Sequence, residues 1–320
     1  MNRPQEIHRV RGKSFLFCAE TSDNPQDYKK YEDLRNEIWA EPTDHLAGAR
    51  NMLCENFFHE GTSLFIAVYT EDSGGNLKED KDHFIGFSYG YVGVKNKEIG
   101  FRSPENLFLY SQFTGIKKGF RNYGLGVLIK EFQRKTLMDV WGIHTVTCTY
   151  DPLTGVNAYR NIHHFRMEVN EYREACYEEF GGNLNRVDVP CDRFYLIWNL
   201  LQQVSPPSYS LEKLVDSGCV ALRSKLERVK GKNGPLSLEV VDEVNSNLES
   251  EFQLVEIPYD FYKMLRQTDV TDSKVREIPL RWRMETRKIF QRLFQKHYRV
   301  IDFRALQRNN RTRDFYVLKK

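Results

Sequence analysis

The chain has 320 residues, of which 40% are hydrophobic and 28% are charged. This length can bury a sizeable core and corresponds to about two domains, since a domain takes ~100–200 residues. The formal net charge of +3 argues against a protein dedicated to binding nucleic acid. Six cysteines without a C-x-x-C pair and the absence of a run of ~18 apolar residues favour a reduced, cytoplasmic protein that does not enter a membrane.

The amino-terminal third predicts strands that surround two helices. Strands are predicted at residues 14–19, 63–69 and 83–92. A first helix is predicted around Pro25, because Asp23 or Asn24 can cap it and apolar side chains recur at helical spacing. A second helix is predicted after Pro42.

The stretch from Asn106 to Trp141 predicts a strand, a tight turn and a helix. Residues 107–116 are β-branched and aromatic in near alternation, and apolar positions recur at helical spacing after Gly126. Glycines at 124 and 126 allow the backbone to approach a ligand, and the first N–H groups of a helix point outward at the positive end of its dipole. A phosphate group is the natural ligand of such a loop.

Three cations, Lys117, Lys118 and Arg121, flank these glycines and would add charge-assisted hydrogen bonds to an anion. The loop fits neither the dinucleotide fingerprint G-x-G-x-x-G nor a P-loop ending in G-K-[ST], because Val127 follows Gly126. The plainer interpretation of the same residues is a glycine-rich turn that binds nothing.

The loop Arg121-x-x-Gly124-x-Gly126 resembles the pyrophosphate loop [R/Q]-x-x-G-x-[G/A] of the GNAT superfamily of acyl-CoA N-acyltransferases. The residues before it resemble that family's V-x-P-x-Y-R segment, with Lys118 in place of the usual proline. The resemblance implies acetyl-CoA or another acyl-CoA as cosubstrate. The residues that it implies for binding the cosubstrate are Thr114, Ile116, Lys117, Arg121, Asn122, Tyr123, Gly124, Leu125, Gly126 and Asn157.

Beyond this helix, a strand is predicted at 145–150, a short helix at 157–165, and strands at 165–172 and 194–200. The order strand, two helices, three strands, helix, strand is also that of the GNAT fold. We therefore expect an α/β fold with a GNAT-like mixed, splayed central sheet flanked by helices, plus a smaller α+β carboxyl-terminal domain. The resemblance implies that the strand before the loop and the strand at 145–150 splay apart to receive the cosubstrate.

Acyl transfer from a thioester to an amine needs a deprotonated amine, a stabilised oxyanion and a proton for the leaving thiolate. A backbone N–H near residues 113–116 is the expected oxyanion donor. The resemblance places Ile162 where many GNAT members have the tyrosine that protonates the thiolate, so that acid is absent. The predicted catalytic residues are Tyr159, His163 and Tyr110, with His164 and Asp192 as further candidates for proton transfer.

The histidine pair has plainer interpretations as well. His163 and His164 suit proton transfer near neutral pH, but adjacent histidines near a helix end also serve as a cap or as surface residues. A metal site is not predicted, because neighbouring helical residues point to different sides and no third ligand is spaced with them.

A narrower resemblance covers most of the chain. The segments Asp151-Pro152-Leu153, Asn157-Ala158 and Pro190-Cys191-Asp192-Arg193 look like those of a group described as predicted GNAT acetyltransferases with an extra carboxyl-terminal domain. The residues predicted to contact substrate are Gln112, Asp192 and Arg193. Arg193 could hold a carboxylate in two hydrogen bonds, and a buried structural ion pair is the alternative for the Asp192-Arg193 dipeptide.

The segment Gln202–Ser210, with its Ser-Pro-Pro-Ser sequence, predicts a linker. The predicted domains are therefore residues 1–203, the acyltransferase domain, and 204–320, an α+β domain that can be a degenerate GNAT-like half. Strands are predicted at 219–222, 236–241, 252–257, 299–303 and 314–318, with a helix after Pro279.

The segment from Arg276 onward is rich in arginine. Its favoured interpretation is a solvated face with ion pairs to the acidic segment Glu239–Glu256. A collar for an acidic ligand and an RNA-binding face are alternatives, but few aromatic residues accompany the arginines, so base stacking is not indicated.

These patterns predict an N-acyltransferase that moves an acyl group, foremost acetyl, from acyl-CoA to a primary amine of a small molecule such as an amino acid. The alternative is a non-catalytic acyl-CoA-binding or regulatory module, suggested by the absent tyrosine. The expected partner is the small amine, without nucleic acid or membrane. The carboxyl-terminal domain is expected to shape the acceptor site or a homodimer.

Overall fold

The computed structural model describes residues 3–22, 24–39, 62–176, 184–203, 205–245, 247–308 and 310–320. The chain forms two compact units, an amino-terminal unit of Met1–Cys148 with Asn199–Gln202 and a carboxyl-terminal unit of Thr149–Trp198 with Gln203–Lys320. The domains predicted from the sequence, 1–203 and 204–320, remain a prediction about independent folding, and the compact units assign residues 149–198 differently.

In the described part of the amino-terminal unit, the strands are accompanied by two helices. The strands are β1 (Gln5–Val10), β2 (Lys13–Ala19), β3 (Ser63–Thr70), β4 (Phe84–Val94), β5 (Leu107–Ile116) and β6 (Thr145–Tyr150), the last of which ends in the other unit. The helices are α1 (Lys29–Trp39) and α2 (Leu125–Thr136), and a π turn, Leu137–Trp141, continues α2. Short 3-10 turns lie at Pro25–Tyr28, Gly100–Arg102, Pro104–Asn106 and Lys118–Tyr123.

The sheet of this unit is mixed, with the strand order β1-β2-β3-β4-β5-β6. Strands β1 to β5 pair with one another in antiparallel fashion. The parallel pairing of β5 with β6 runs through Leu109–Val146 and Tyr110–Thr147, in the first half of β5. The predicted α/β class, a mixed and splayed sheet with flanking helices, is confirmed, and the carboxyl-terminal part forms a second sheet with its own helices.

Alternate residues of β2 pack on opposite faces of this sheet, as the period of a strand requires. Leu16 and Cys18 belong to the buried cluster that includes Tyr31 and Leu34 of α1. Phe17 lies 6.4 Å from the Phe132 ring of α2, between ring centroids. The sheet is therefore covered by α1 on one face and by α2 on the other.

The carboxyl-terminal unit contains a five-stranded sheet with the order β10-β9-β11-β13-β12. Its strands are β7 (Glu168–Arg173), β8 (Arg193–Asn199), β9 (Val220–Gly231), β10 (Gly234–Val244), β11 (Phe252–Ile257), β12 (Arg299–Arg308) and β13 (Arg311–Lys319), of which β7 pairs with β8. Its helices are α3 (Gly155–Ala158), which continues as a π turn Tyr159–His164, α4 (Leu211–Asp216), α5 (Phe261–Gln267), α6 (Ser273–Arg276) and α7 (Ile278–Gln295). Helix α7 contacts β9, β10 and β11 and buries Trp282, Ile289 and Phe290.

Several sequence predictions differ from this architecture in detail. Strand β1 and helices α4, α5 and α6 were not predicted. Asn24 caps the first 3-10 turn by accepting a hydrogen bond from Gln26 N, whereas Asp23 and the helix predicted after Pro42 lie outside the described residues. Within the described part of the chain, the helices lack the length and apolarity needed to cross a membrane.

Candidate functional site

The loop between β5 and α2 turns at Gly124, whose φ of 71° lies in the left-handed region. In the described chain, no atom lies within 4 Å of the place where a Cβ of residue 124 would be. Val127 N donates a hydrogen bond of 2.9 Å to Gly124 O, so the N–H groups of Leu125 and Gly126 precede the helical ladder. The backbone thus presents donors where a ligand can approach closely.

The charge at the start of α2 is positive. Gly124 is the cap residue and supplies no side-chain hydrogen bond, and the first turn of α2 contains no acidic residue. The half-buried Lys117 and the exposed Arg121 come just before it, and Arg121 Nε donates to Ile116 O at 3.3 Å. An anion complements a helix end that has neither an acid nor a capping side chain.

Strand β5 contains a β-bulge. Phe113 pairs with Tyr89 and Ser111 pairs with Gly90, so Gln112 is an extra residue without a partner in β4. The side chain of Gln112 is exposed. A bulge interrupts the ladder and redirects the groups beside it, a feature that is frequent next to binding sites.

The residues predicted in the amino-terminal unit lie on β5 or directly after it. Tyr110 is half-buried, with its ring centroid 5.4 Å from that of Tyr91, and the hydroxyl of Thr114 lies 3.3 Å from that of Ser88. The predicted cosubstrate residues of the turn and of the start of α2 are Ile116, Lys117, Arg121, Asn122, Tyr123, Gly124, Leu125 and Gly126. The strand, the bulge and the loop therefore form one continuous candidate site.

In the carboxyl-terminal unit, α3 and its π turn bring together three other predicted residues. Asn157 Oδ1 accepts a 2.8 Å hydrogen bond from Arg160, and Asn157 Nδ2 donates to Thr154 Oγ1 at 3.1 Å. Tyr159 is 51% exposed, and its ring centroid lies 4.7 Å from that of His163. The rings of the half-buried His163 and the exposed Tyr159 are therefore in contact, tilted by 31°.

Sequence reasoning missed the partner of His163, which is the buried carboxylate of Asp302. Its Oδ1 lies 2.8 Å from His163 Nδ1 and accepts another 2.8 Å hydrogen bond from Arg166, while Oδ2 accepts one of 2.7 Å from Tyr209. Burial and the bond to Asp302 raise the pKa of Tyr209 well above its ordinary value. Because the carboxylate only accepts, Nδ1 carries the proton in neutral His163, and Nε2 is left as the proton acceptor.

Asp192 and Arg193 make separate ion pairs. Asp192 accepts hydrogen bonds from Arg287 Nε at 2.9 Å and Nη2 at 2.6 Å, from Tyr172 at 2.5 Å and from Ala175 N at 3.0 Å. Arg193 Nη1 lies 3.6 Å from Asp151 Oδ2. Burial, followed by the charge of Asp192, raises the pKa of Tyr172 well above its ordinary value. The oxygens of Asp192 are thus occupied by the protein itself, and its predicted contact with substrate stays a prediction.

No family model and no curated protein matches the chain. Among solved structures, it is similar to Arabidopsis thaliana NAA60 in complex with acetyl-CoA, with 14% identity, 57% of this chain and 99% of that chain covered, and a TM-score of 0.41. It is similar to Mycobacterium smegmatis RimJ in complex with CoA-disulfide, with 12% identity, 68% and 98% covered, and a TM-score of 0.42. A third, the ribosomal-protein-S5-alanine acetyltransferase from Vibrio fischeri, has 9% identity, 59% and 96% covered, and a TM-score of 0.41. Similarity at this level carries no conclusion about activity.

Proposed function

We propose that the protein is an N-acyltransferase that uses an acyl-CoA, foremost acetyl-CoA, and that the loop from Ile116 to Gly126 binds the pyrophosphate of this cosubstrate. One observation carries the proposal, namely the uncapped and acid-free start of α2 at Gly124. A diphosphate supplies the negative charge and the acceptor oxygens that this helix end lacks. The motif Arg121-x-x-Gly124-x-Gly126 supports the same ligand from the sequence.

The bulge of β5 suits the chemistry of acyl transfer. The amine nitrogen attacks the thioester carbonyl, a C–N bond forms, and the C–S bond breaks with the sulfur taking the electron pair. The carbonyl oxygen becomes negative on the way, and a preorganised backbone N–H is an effective donor to such an oxygen. We assign this role to the N–H groups that follow Gln112 on β5.

The acceptor in this proposal is a primary amine of a small molecule, such as an amino acid. The proton that the amine loses and the proton that the thiolate gains require acid–base groups. Tyr159, His163 and Tyr110 are proposed for these steps from the sequence. For His163, the hydrogen bond to Asp302 supports this role further, because it fixes the tautomer in which Nε2 can accept a proton.

The decisive experiment is to compare Gly124→Val with Gly142→Val. Both glycines have positive φ, 71° and 64°, and open space at the Cβ position, so valine introduces the same backbone strain at the start of α2 and at the end of the π turn that continues it. We expect Gly124→Val to abolish CoA binding in calorimetry, because the side chain fills the space where pyrophosphate meets the backbone. We expect Gly142→Val to bind CoA as the wild type does.

Equal binding by both variants would reject the loop as the cosubstrate site. Turnover is tested separately, by release of free CoA thiol from acetyl-CoA with a panel of small amines. Tight CoA binding without turnover on any amine would favour the non-catalytic acyl-CoA-binding module over the enzyme.

A further inference from the structure

A cluster of buried polar side chains lies between α2 and the strands β4 and β5. Ser88 and Gln133 are 0% exposed, Lys130 is 3% exposed and Ser111 is 5% exposed. Lysine is almost never fully buried unless its ammonium group is hydrogen-bonded, because removing the charge from water costs free energy. A lysine in the sheet-facing side of α2 therefore calls for a reason beyond packing.

The cluster forms a hydrogen-bonded chain with a defined direction. Lys130 Nζ donates to Ser111 Oγ at 2.7 Å and to Gln133 Oε1 at 3.3 Å. Gln133 Nε2 donates to Ser88 Oγ at 3.4 Å, and Ser88 Oγ donates to Phe113 O at 3.2 Å. Successive bonds of this kind polarise and strengthen one another in a dry interior.

This hydrogen-bonded chain contacts β5 on both sides of its bulge. Ser111 precedes the extra residue Gln112, and Phe113 follows it. Without the bulge, residues 111 and 113 would face the same side of the sheet, since side chains alternate along a strand. With it, the ring of Phe113 turns to α1, 5.5 Å from the Trp39 ring, while Ser111 and Thr114 share the face of Lys130 and Ser88.

The bond from Ser88 also fixes the direction of one peptide group. Phe113 O points to β4, where Ser88 and the ladder partner Tyr89 lie. In a trans peptide, the N–H of the following residue points the opposite way. The N–H of Thr114 is therefore directed to the edge of β5 that faces away from β4, beyond the last pair that β5 makes with β6 in the described ladder, Tyr110–Thr147.

We infer that Lys130 is a positioning residue, which acts through Gln133, Ser88 and Ser111 to hold the Thr114 N–H in the direction of the acyl carbonyl. The inference rests on the proposed function, because that function identifies the carbonyl as the acyl group of the cosubstrate. The hydrogen-bonded chain is observed independently of that function. A small misplacement of a catalytic group, about 1 Å, costs ~10²-fold in rate. Helix α2 would then serve twice, with its first residues on the pyrophosphate and its second turn under the bulge.

The test replaces Lys130 by methionine, which keeps the unbranched shape and the helix propensity of lysine. We expect Lys130→Met to lower kcat ~10- to 100-fold with the Kd for CoA unchanged, because the loop at Gly124 is untouched. The matched control is Lys135→Met on the same helix, where the exposed lysine pairs with Glu6 on the surface and kcat should stay the same. Ser88→Ala is the second variant, because it keeps the buried charge of Lys130 and removes the hydroxyl that accepts from Gln133 and donates to Phe113 O, and kcat should fall with it too.

A second readout does not depend on activity. The backbone amide resonance of Thr114, followed by NMR in the CoA-bound protein, should shift in Lys130→Met and Ser88→Ala and should stay in place in Lys135→Met. The inference would be overturned if the variants fold but leave the Thr114 amide resonance unmoved. It would also be overturned if the wild type turns over and the variants have the same kcat. If the wild type lacks turnover on every amine but the amide moves as expected, the positioning chain stands and the transferase proposal falls.

Discussion

Asp314 of β13 is a carboxylate that the fold has buried, with 7% of the residue exposed. Desolvation, followed by the charges of Glu239 and Glu256, raises the pKa of Asp314 to about 7 from the ordinary 3.8. Between about pH 4 and pH 7, the unfolded chain has therefore lost a proton that the folded chain still binds, and stability falls as the pH rises through this window. We expect Asp314→Asn to remove this slope. The stability of the variant relative to the wild type should rise by on the order of 4 kcal/mol from pH 4 to pH 8, measured by urea unfolding.

The control for this titration is Asp242→Asn, since Asp242 lies on the surface of the same unit in an exposed pair with Lys225. Its relative stability should change little over the same pH range. A flat difference between Asp314→Asn and the wild type would mean that Asp314 is ionised in the folded protein throughout. The sequence places Asp314 at the start of a predicted strand, but its burial depends on Gly155, where a Cβ would lie 2.6 Å from Asp314 Oδ2. No local pattern reveals such a remote contact.

The hairpin of β1 and β2 contains a turn whose first residue is poorly suited to its backbone conformation. Arg11 has a φ of 50° and Gly12 a φ of 80°, the two left-handed positions of a type I′ turn. Asparagine tolerates the first position better than arginine does, so Arg11→Asn should stabilise the protein by about 0.5–1 kcal/mol. Little is lost with the arginine, because its guanidinium lies 6.0 Å from the Tyr123 ring, at the outer limit of a cation–π contact.

The measurement is the midpoint of urea unfolding, with Arg9→Asn as the control within strand β1. Asparagine is disfavoured in strands, so Arg9→Asn should not stabilise the protein. A midpoint for Arg11→Asn at or below that of the wild type would show that the turn does not limit stability.

Helices and strands could be predicted where a local stretch of sequence contains several independent indications of the same structure. The strand, loop and helix from 107 to 141 combine alternation, two glycines and a helical period, so both the fold and the candidate loop were recognised there. Strand β1 was missed because its residues are alternately exposed and half-buried, with an Arg-Gly turn in place of Asn-Gly. Helices α4 and α5 span six and seven residues, too few for a helical period to stand out.

For the whole molecule, the sequence predicts the types of charged residue but not their partners. The interpretation of the carboxyl-terminal arginines as a solvated face paired with the acidic segment Glu239–Glu256 holds for only part of them. Arg311 and Arg313 bind Glu256, whereas Arg283 is buried and pairs with Asp151. Other pairs join residues that are remote in the chain, such as Asp192 with Arg287 and His163 with Asp302. Tertiary packing alone decides these contacts, so the fold was predictable to a greater extent than the chemistry of the site.

The pair of Asp192 and Arg287 allows a test of how such a contact supports the carboxyl-terminal unit. Asp192 is 0% exposed and takes two hydrogen bonds from the Arg287 guanidinium. Arg287→Met leaves the buried carboxylate without its charge partner and should cost about 3 kcal/mol. In the double variant Asp192→Leu with Arg287→Met, no buried charge is left unpaired, and part of that loss should be recovered.

Thermal and urea unfolding of the single and double variants measure this coupling as a double-mutant cycle. The surface control is Arg308→Met, because Arg308 and its partner Asp216 are both more than half exposed, and its loss should stay below about 1 kcal/mol. A cost for Arg287→Met as small as that of Arg308→Met would mean that Asp192 is not held by its charge partner. Its other donors, Tyr172 and the N–H of Ala175, would then suffice to hold the carboxylate.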